Sequence, residues 1–165
     1  MAKVIAKEKE VVTEFIPDKI EMAENVVSID RISRTVKGGR RIRFRAIVVI
    51  GNRNGRVGVG AGKAADVQGA IAKAKNQAEK IMIDVPIVKG TISHPVMEVF
   101  GTSRVLLKPA PEGHSIIAGG AVRAVVELAG IINIVSKTLG SSNSLNCAMA
   151  TYTALKKLSL EKVRL

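Results

Sequence analysis

Arg41, Arg43 and Arg45 alternate through the run RRIRFRAIVVI (40–50), and GNRNGRVGVGAGKA (51–64) follows it and closes on Gly62-Lys63. Both patterns can handle phosphate, by different chemistry. In an extended strand every second side chain shares a face, so three guanidinium stems line up about 6.5–7 Å apart, a row suited to a phosphate backbone. The same row would otherwise be a solvated outer face. A glycine-rich loop ending in Gly-Lys suggests instead a cradle for a nucleotide's phosphates.

The cradle fails where its chemistry would sit. A loop of the form G-x-x-x-x-G-K-[ST] needs glycine five positions before Gly62, where Val57 stands, and a hydroxyl after Lys63, where Ala64 stands. A dinucleotide fingerprint begun at Gly58 and Gly60 reaches Lys63 in place of its third glycine. The glycines fit a hairpin over Gly51-Asn52-Arg53-Asn54-Gly55, followed by a third strand. There Gly58, Gly60 and Gly62 share one face and Val57, Val59 and Ala61 the other, so a face without side chains lets another element come close.

Other catalytic sets are scarce. His94 and His114 stand alone beside proline and glycine, and no carboxylates cluster. Glu127, four residues after Arg123, reads as a helix-surface pair. Cys147 is the one cysteine, which excludes an intrachain disulfide and a zinc ribbon. No cofactor, metal or small-molecule substrate is expected, and the chain is read as a non-enzyme.

The elements that must position the arginines follow from periodicity. VVSIDRISRTV (26–36) and residues 40–50 read as strands broken by Lys37-Gly38-Gly39. In the second, Ile42, Phe44, Ala46, Val48 and Ile50 oppose the arginines. After the third strand, Val67, Ala70, Ile71, Ala74, Ala78 and Ile81 make a helical stripe, with Lys73, Lys75 and Lys80 off it. The unit is β-β-β-α, with a helix on one sheet face and arginines on the other or at its rim. A second unit reads β-β-α-β-α: strands near 95–100 and 103–108, a helix stopped by Gly130, a strand in INIVSKTLGS, and a last helix with Leu145, Met149, Tyr152 and Leu155 on one face. Gly119-Gly120 before the first of these helices is either a phosphate contact or a tight turn.

The chain of 165 residues is 47% apolar, enough for a core built from Val, Ile, Leu and Ala; its aromatics are Phe15, Phe44, Phe100 and Tyr152. Its formal net charge of +12 predicts a polyanionic partner. Residues 1–26 carry net −2, 27–90 net +10 and 91–165 net +4, and no acid occurs from Arg31 to Ala65. The organisation expected is a charged tail (1–26), a strongly basic unit (27–90) that the resemblance given below implies to be RNA-binding, a second α+β unit (91–158) and a short tail (159–165). No secretory signal or membrane-long apolar stretch is evident, so the chain is expected to be soluble and intracellular.

VKGGRRIRFRAIVVIGNRNGRVGVGAGKA, with GTSRVLLKPAPEG, IIAGGAVRAVVELAGI and SKTLGSSN downstream in order, resembles the family of the fifth protein of the small ribosomal subunit, bacterial or organellar type. The resemblance covers about residues 26–158. It implies an α+β fold of two small domains. The N-terminal one is like a double-stranded-RNA-binding domain, and the C-terminal one has a left-handed βαβ crossover. It implies no catalytic residues, binding to small-subunit ribosomal RNA, and a part in subunit assembly. Contacts with ribosomal proteins S four and S eight are implied too, as are a place lining the path by which messenger RNA enters and an influence on decoding accuracy through S four. The loop from Ser33 to Arg40 resembles one near the spectinomycin site, so Ser33, Val36, Lys37 and Gly38 are where drug response is expected. Two positions depart from the family pattern: His114-Ser115 replaces Thr-Gly, and Ser144 replaces Pro, both at loops.

Electrostatic docking follows, with contacts to the sugar–phosphate backbone outweighing base readout. Stacking of splayed bases is not expected with so few aromatics. The residues expected to contact phosphate are Arg34, Lys37, Arg40, Arg41, Arg43, Arg45, Arg53, Arg56 and Lys63, with Arg104 and Lys108 in the second unit. A double-stranded-RNA-binding module acting off the ribosome is the alternative. The compartment, bacterial cytoplasm or organelle, stays open.

Overall fold

The structure, a computed structural model, describes residues 22–162, with side chains through Leu158. Residues 1–21 and 163–165 of the two expected tails lie outside the described residues. The first unit is a four-stranded antiparallel sheet in sequence order: β1 (Ala23–Val36), β2 (Gly39–Gly51), β3 (Arg56–Ala64) and β4 (Ile83–Asp84), with α1 (Val67–Lys80) between β3 and β4. β1 begins inside the segment assigned to the charged tail; Ala23 pairs with Gly51 across the ladder. The residues it adds, mostly exposed on an edge strand, carry no alternation that a sequence reading could use.

The second sheet runs β5-β6-β8-β7, built from β5 (Val96–Phe100), β6 (Ser103–Pro109), β7 (Ile116–Ile117) and β8 (Ile134–Gly140). α2 (Gly120–Ala129) links β7 to β8, its parallel neighbour, and so forms the βαβ crossover. α3 (Ser144–Lys162) follows and ends four residues beyond the unit assigned to 91–158. β4 and β7 join the expected strands; at two residues each, they are too short to show a period.

The bare face of β3 has a definite occupant. Cβ atoms at Gly58, Gly60 and Gly62 would overlap the backbone carbonyls of Ala78, Ala74 and Ala70 respectively. An alanine stripe at i, i+4 on α1 therefore lies directly on a glycine stripe of β3, and the backbones meet with no side chain between. Ala46, Val48, Ile50 and half-buried Phe44 complete this layer.

Beyond Ala46, β2 is buried on both faces. Val49, Val57 and Val59 join one core with Val125 and Val126 of α2, Val105 and Leu107 of β6, and Leu155 of α3. The run AIVVIG is continuous rather than alternating because α1 covers one face and the second unit the other. The β2–β3 loop fixes that contact. The Arg53 amide donates to the Leu128 carbonyl (3.0 Å) and the Gly55 amide to that of Ala129 (2.8 Å), satisfying carbonyls at the C-terminal end of α2. Gly130, with φ of 91°, ends α2 in a left-handed cap, and the Ile131 amide donates back to the Val126 carbonyl.

Candidate nucleic-acid interface

The part of β2 that lies beyond α1 carries the charge. Phe44 is the last residue of its face tucked against the helix layer, and Arg40 to Arg43 are exposed. Directly opposed residues of an antiparallel pair project from one face, so the register fixes what surrounds each arginine. Arg41 faces Arg34, Arg43 faces Ile32, and Arg45 faces Asp30 on β1 and Lys63 on β3. Arg34, Arg41, Arg43, Arg45 and Lys63 therefore share one face, the one opposite α1.

Within this face the arginines are not equivalent. The Arg45 guanidinium donates twice to the Asp30 carboxylate, from Nη2 at 2.6 Å and Nε at 3.0 Å, with side chains 29% and 39% exposed. Arg56 donates to Asp84 at 2.6 Å. Both were expected to meet phosphate, and each already has a carboxylate partner. The acid-free stretch concealed this because both acids lie outside it, Asp30 just before and Asp84 well after.

Arg34, Arg41, Arg43 and Lys63 are exposed and line one cavity of about 290 Å³ with Ile32, Ser33 and Val36. The span from Ser33 to Arg40 is a hairpin arm rather than a loop, with Lys37 and Gly38 as its turn and Gly38 at φ of 93°. Ser33 and Val36 thus flank the cavity, while Lys37 and Gly38 sit at the arm's tip. Arg40 lies opposite Thr35 on the other face of the ribbon.

The remaining expected residues lie elsewhere. Arg53 follows the far end of β2, roughly 30 Å of extended strand from Arg41, in the loop docked on α2. Arg104 and Lys108 project from the outer face of the second sheet, alternating with buried Ser103, Val105 and Leu107. Lys137 of β8 joins them through its pairing with Leu106, a residue that the sequence reading passed over although VSKTLG places it by alternation. Met97, Val99 and Leu139 share this outer face and are 55%, 51% and 42% exposed.

His94 and His114 are 20 positions apart in sequence, and no grouping of three or more His, Cys, Asp or Glu suited to a metal occurs among the described residues. Lys75 on α1 pairs with Glu24 at 3.0 Å, a hydrogen bond that raises the lysine pKa above its ordinary value. No helix among the described residues is long and apolar enough to cross a membrane.

A strand face of cations set against a helix-covered opposite face is the build of an RNA-binding protein that reads backbone and shape. Residues 22–86 match the family model for ribosomal protein S5, N-terminal domain, and residues 98–162 match that for ribosomal protein S5, C-terminal domain. The chain belongs to the ribosomal protein S5 family, whose members are structural, non-enzymatic proteins of the small ribosomal subunit that bind its RNA.

Proposed function

We propose that the chain docks on small-subunit ribosomal RNA through Arg34, Arg41, Arg43 and Lys63, with Lys37 and Arg40 carrying the contact along the arm. The observation that supports this reading is the register of β1 and β2. It gathers cations on one face and leaves Asp30, already engaged by Arg45, as the acid opposite them. Counterion release from phosphate then supplies most of the affinity, and Arg53 adds a contact at another point of the fold. The outer face of the second sheet, where exposed apolar residues sit among Arg104, Lys108 and Lys137, suits protein neighbours. Ribosomal proteins S four and S eight are the neighbours that family membership suggests. In that setting the chain supports subunit assembly, borders the incoming messenger RNA and influences decoding accuracy through its contact with S four; the arm's Ser33, Val36, Lys37 and Gly38 are where spectinomycin response is affected.

Replacing Arg41 and Arg43 together by Glu tests the reading. Impaired incorporation into small subunits, followed by sedimentation through a high-salt wash, is the expected result. Normal incorporation would remove the basic face from the assembly contact. Release of the unmodified chain into the free pool under that wash would favour a module acting off the ribosome.

A further inference from the structure

We propose that the cavity beside the arm holds a single unstacked nucleotide of the bound RNA. Its phosphate lies among Arg34, Arg41, Arg43 and Lys63, and its base rests against Ile32 and Val36. The inference rests on the RNA-binding reading of this face and makes it more specific.

Three features of the cavity separate it from a plain phosphate rail. Its cations surround a depression rather than line a ridge, and no carboxylate takes part in the lining. Its volume of about 290 Å³ is near the lower bound of small-molecule pockets, room for one nucleotide and not for a duplex edge. Its lining also includes apolar side chains: Ile32 is half-buried, and Val36 keeps 47% of its surface exposed. A phosphate alone has no use for that surface; the face of a nucleobase does. Aromatic residues usually supply such a platform, and this chain has few, but guanidinium planes also stack on bases and the aliphatic residues extend the contact. By contrast, a larger cavity of about 380 Å³ between β1 and the starts of α2 and α3 is lined without a charged side chain.

The full chain would be titrated with a short RNA duplex and with the same duplex carrying one bulged uridine. A preference for the bulged duplex of about tenfold is expected, since an already unpaired base spares the cost of unstacking. Replacing the apolar side chains (Ile32→Ala with Val36→Ser) should abolish the preference without changing the salt dependence of binding. Arg34→Gln should weaken both complexes. Equal affinity for the two duplexes, or a preference that survives loss of the apolar side chains, would overturn the proposal while leaving RNA binding by this face intact. Failure to bind either RNA would overturn both readings. Saturation of the cavity by micromolar free uridine monophosphate would assign it to a free nucleotide and also overturn the proposal.

Discussion

Arg34 and Arg41 stand directly opposite each other across β1 and β2, on one face and with no carboxylate on either neighbouring pair position: Ile32 with Arg43, and Val36 with Gly39. Like charges so placed oppose folding of the free chain. The arm is therefore less stable alone than its backbone pairing allows, and an anion laid across it relieves the repulsion. Arg41→Thr should raise the Tm of the free protein by about 1–2 °C. The same change should weaken RNA binding. Thermal unfolding with and without RNA would show both effects; a lowered Tm of the free chain would contradict the repulsion.

The row Arg41, Arg43, Arg45 divides by partner. Arg43 has Ile32 opposite and is open to a phosphate, whereas Arg45 is held by Asp30. Arg43→Gln should reduce the slope of log affinity against log salt by about 0.7–0.9, one phosphate contact's worth. Arg45→Gln should leave that slope nearly unchanged. It should instead cost about 0.5–1 kcal/mol of stability, as expected for a half-exposed, doubly bonded pair. Asp30→Asn should reproduce the stability loss and steepen the slope, by releasing Arg45 to the RNA.

Gly60 shows how tightly the first unit is closed. A methyl group there would overlap the Ala74 carbonyl, which belongs to helix backbone and cannot swing aside. Gly60→Ala should destabilise the protein by about 3 kcal/mol, at the upper end of overpacking effects. Gly39 has nothing within 4 Å of its would-be Cβ, so Gly39→Ala should stay within about 0.5 kcal/mol. Urea denaturation of the two variants compares them directly.

The glycine stripe and the arginine row were legible because both are local. Alternation in a strand and the 3.6-residue period of a helix are fixed by the backbone, so Gly58, Gly60 and Gly62 on one side, Ala70, Ala74 and Ala78 on the other, could be read before their contact was seen. Asp30 opposite Arg45 was not legible, because pairing register depends on where the β1–β2 turn falls. The cavity was hidden for the same reason: Ile32 and Lys63, 31 positions apart, converge only through two ladders. Nor did sequence reveal that the arginine face of β2 becomes core at Ile47 and Val49. The cover over Val49 includes α2, brought in by the second unit.

Ser115 marks a place where this chain is strained. Its φ is 58°, in the left-handed region, at a position where the family pattern has glycine. The conformation is held by a hydrogen bond from the Ser115 amide to Asn133 Oδ1 at 3.1 Å and by the Ser115 carbonyl accepting from Ile134. A side chain in that region costs about 1–2 kcal/mol. Glycine also loses more freedom on folding, which returns part of the gain. Ser115→Gly should therefore stabilise the protein by about 0.5–1 kcal/mol. Asn133→Ala should destabilise it, because the Ser115 amide loses its acceptor. A Ser115→Gly variant of lower stability would show that the serine hydroxyl, not the backbone, decides this position.

Tyr152 ties α3 to the end of α1, its hydroxyl donating to the Ile81 carbonyl at 2.7 Å. Burial raises its pKa above the ordinary 10.0, because the phenolate would lose water that the neutral form does not need. The sign follows from linkage. The unfolded chain releases the phenolic proton first, so stability is whole below pH 10.0 and falls as pH rises through the raised value. Tyr152→Phe should cost about 1 kcal/mol at neutral pH, the net worth of one hydrogen bond. It should also flatten the decline above pH 10.0, since no phenol remains to titrate. As the single tyrosine in a chain without tryptophan, its ionisation can be followed directly by ultraviolet absorbance. An ionisation midpoint at or below the ordinary value in the folded protein would mean that the phenol is not buried at the end of α1.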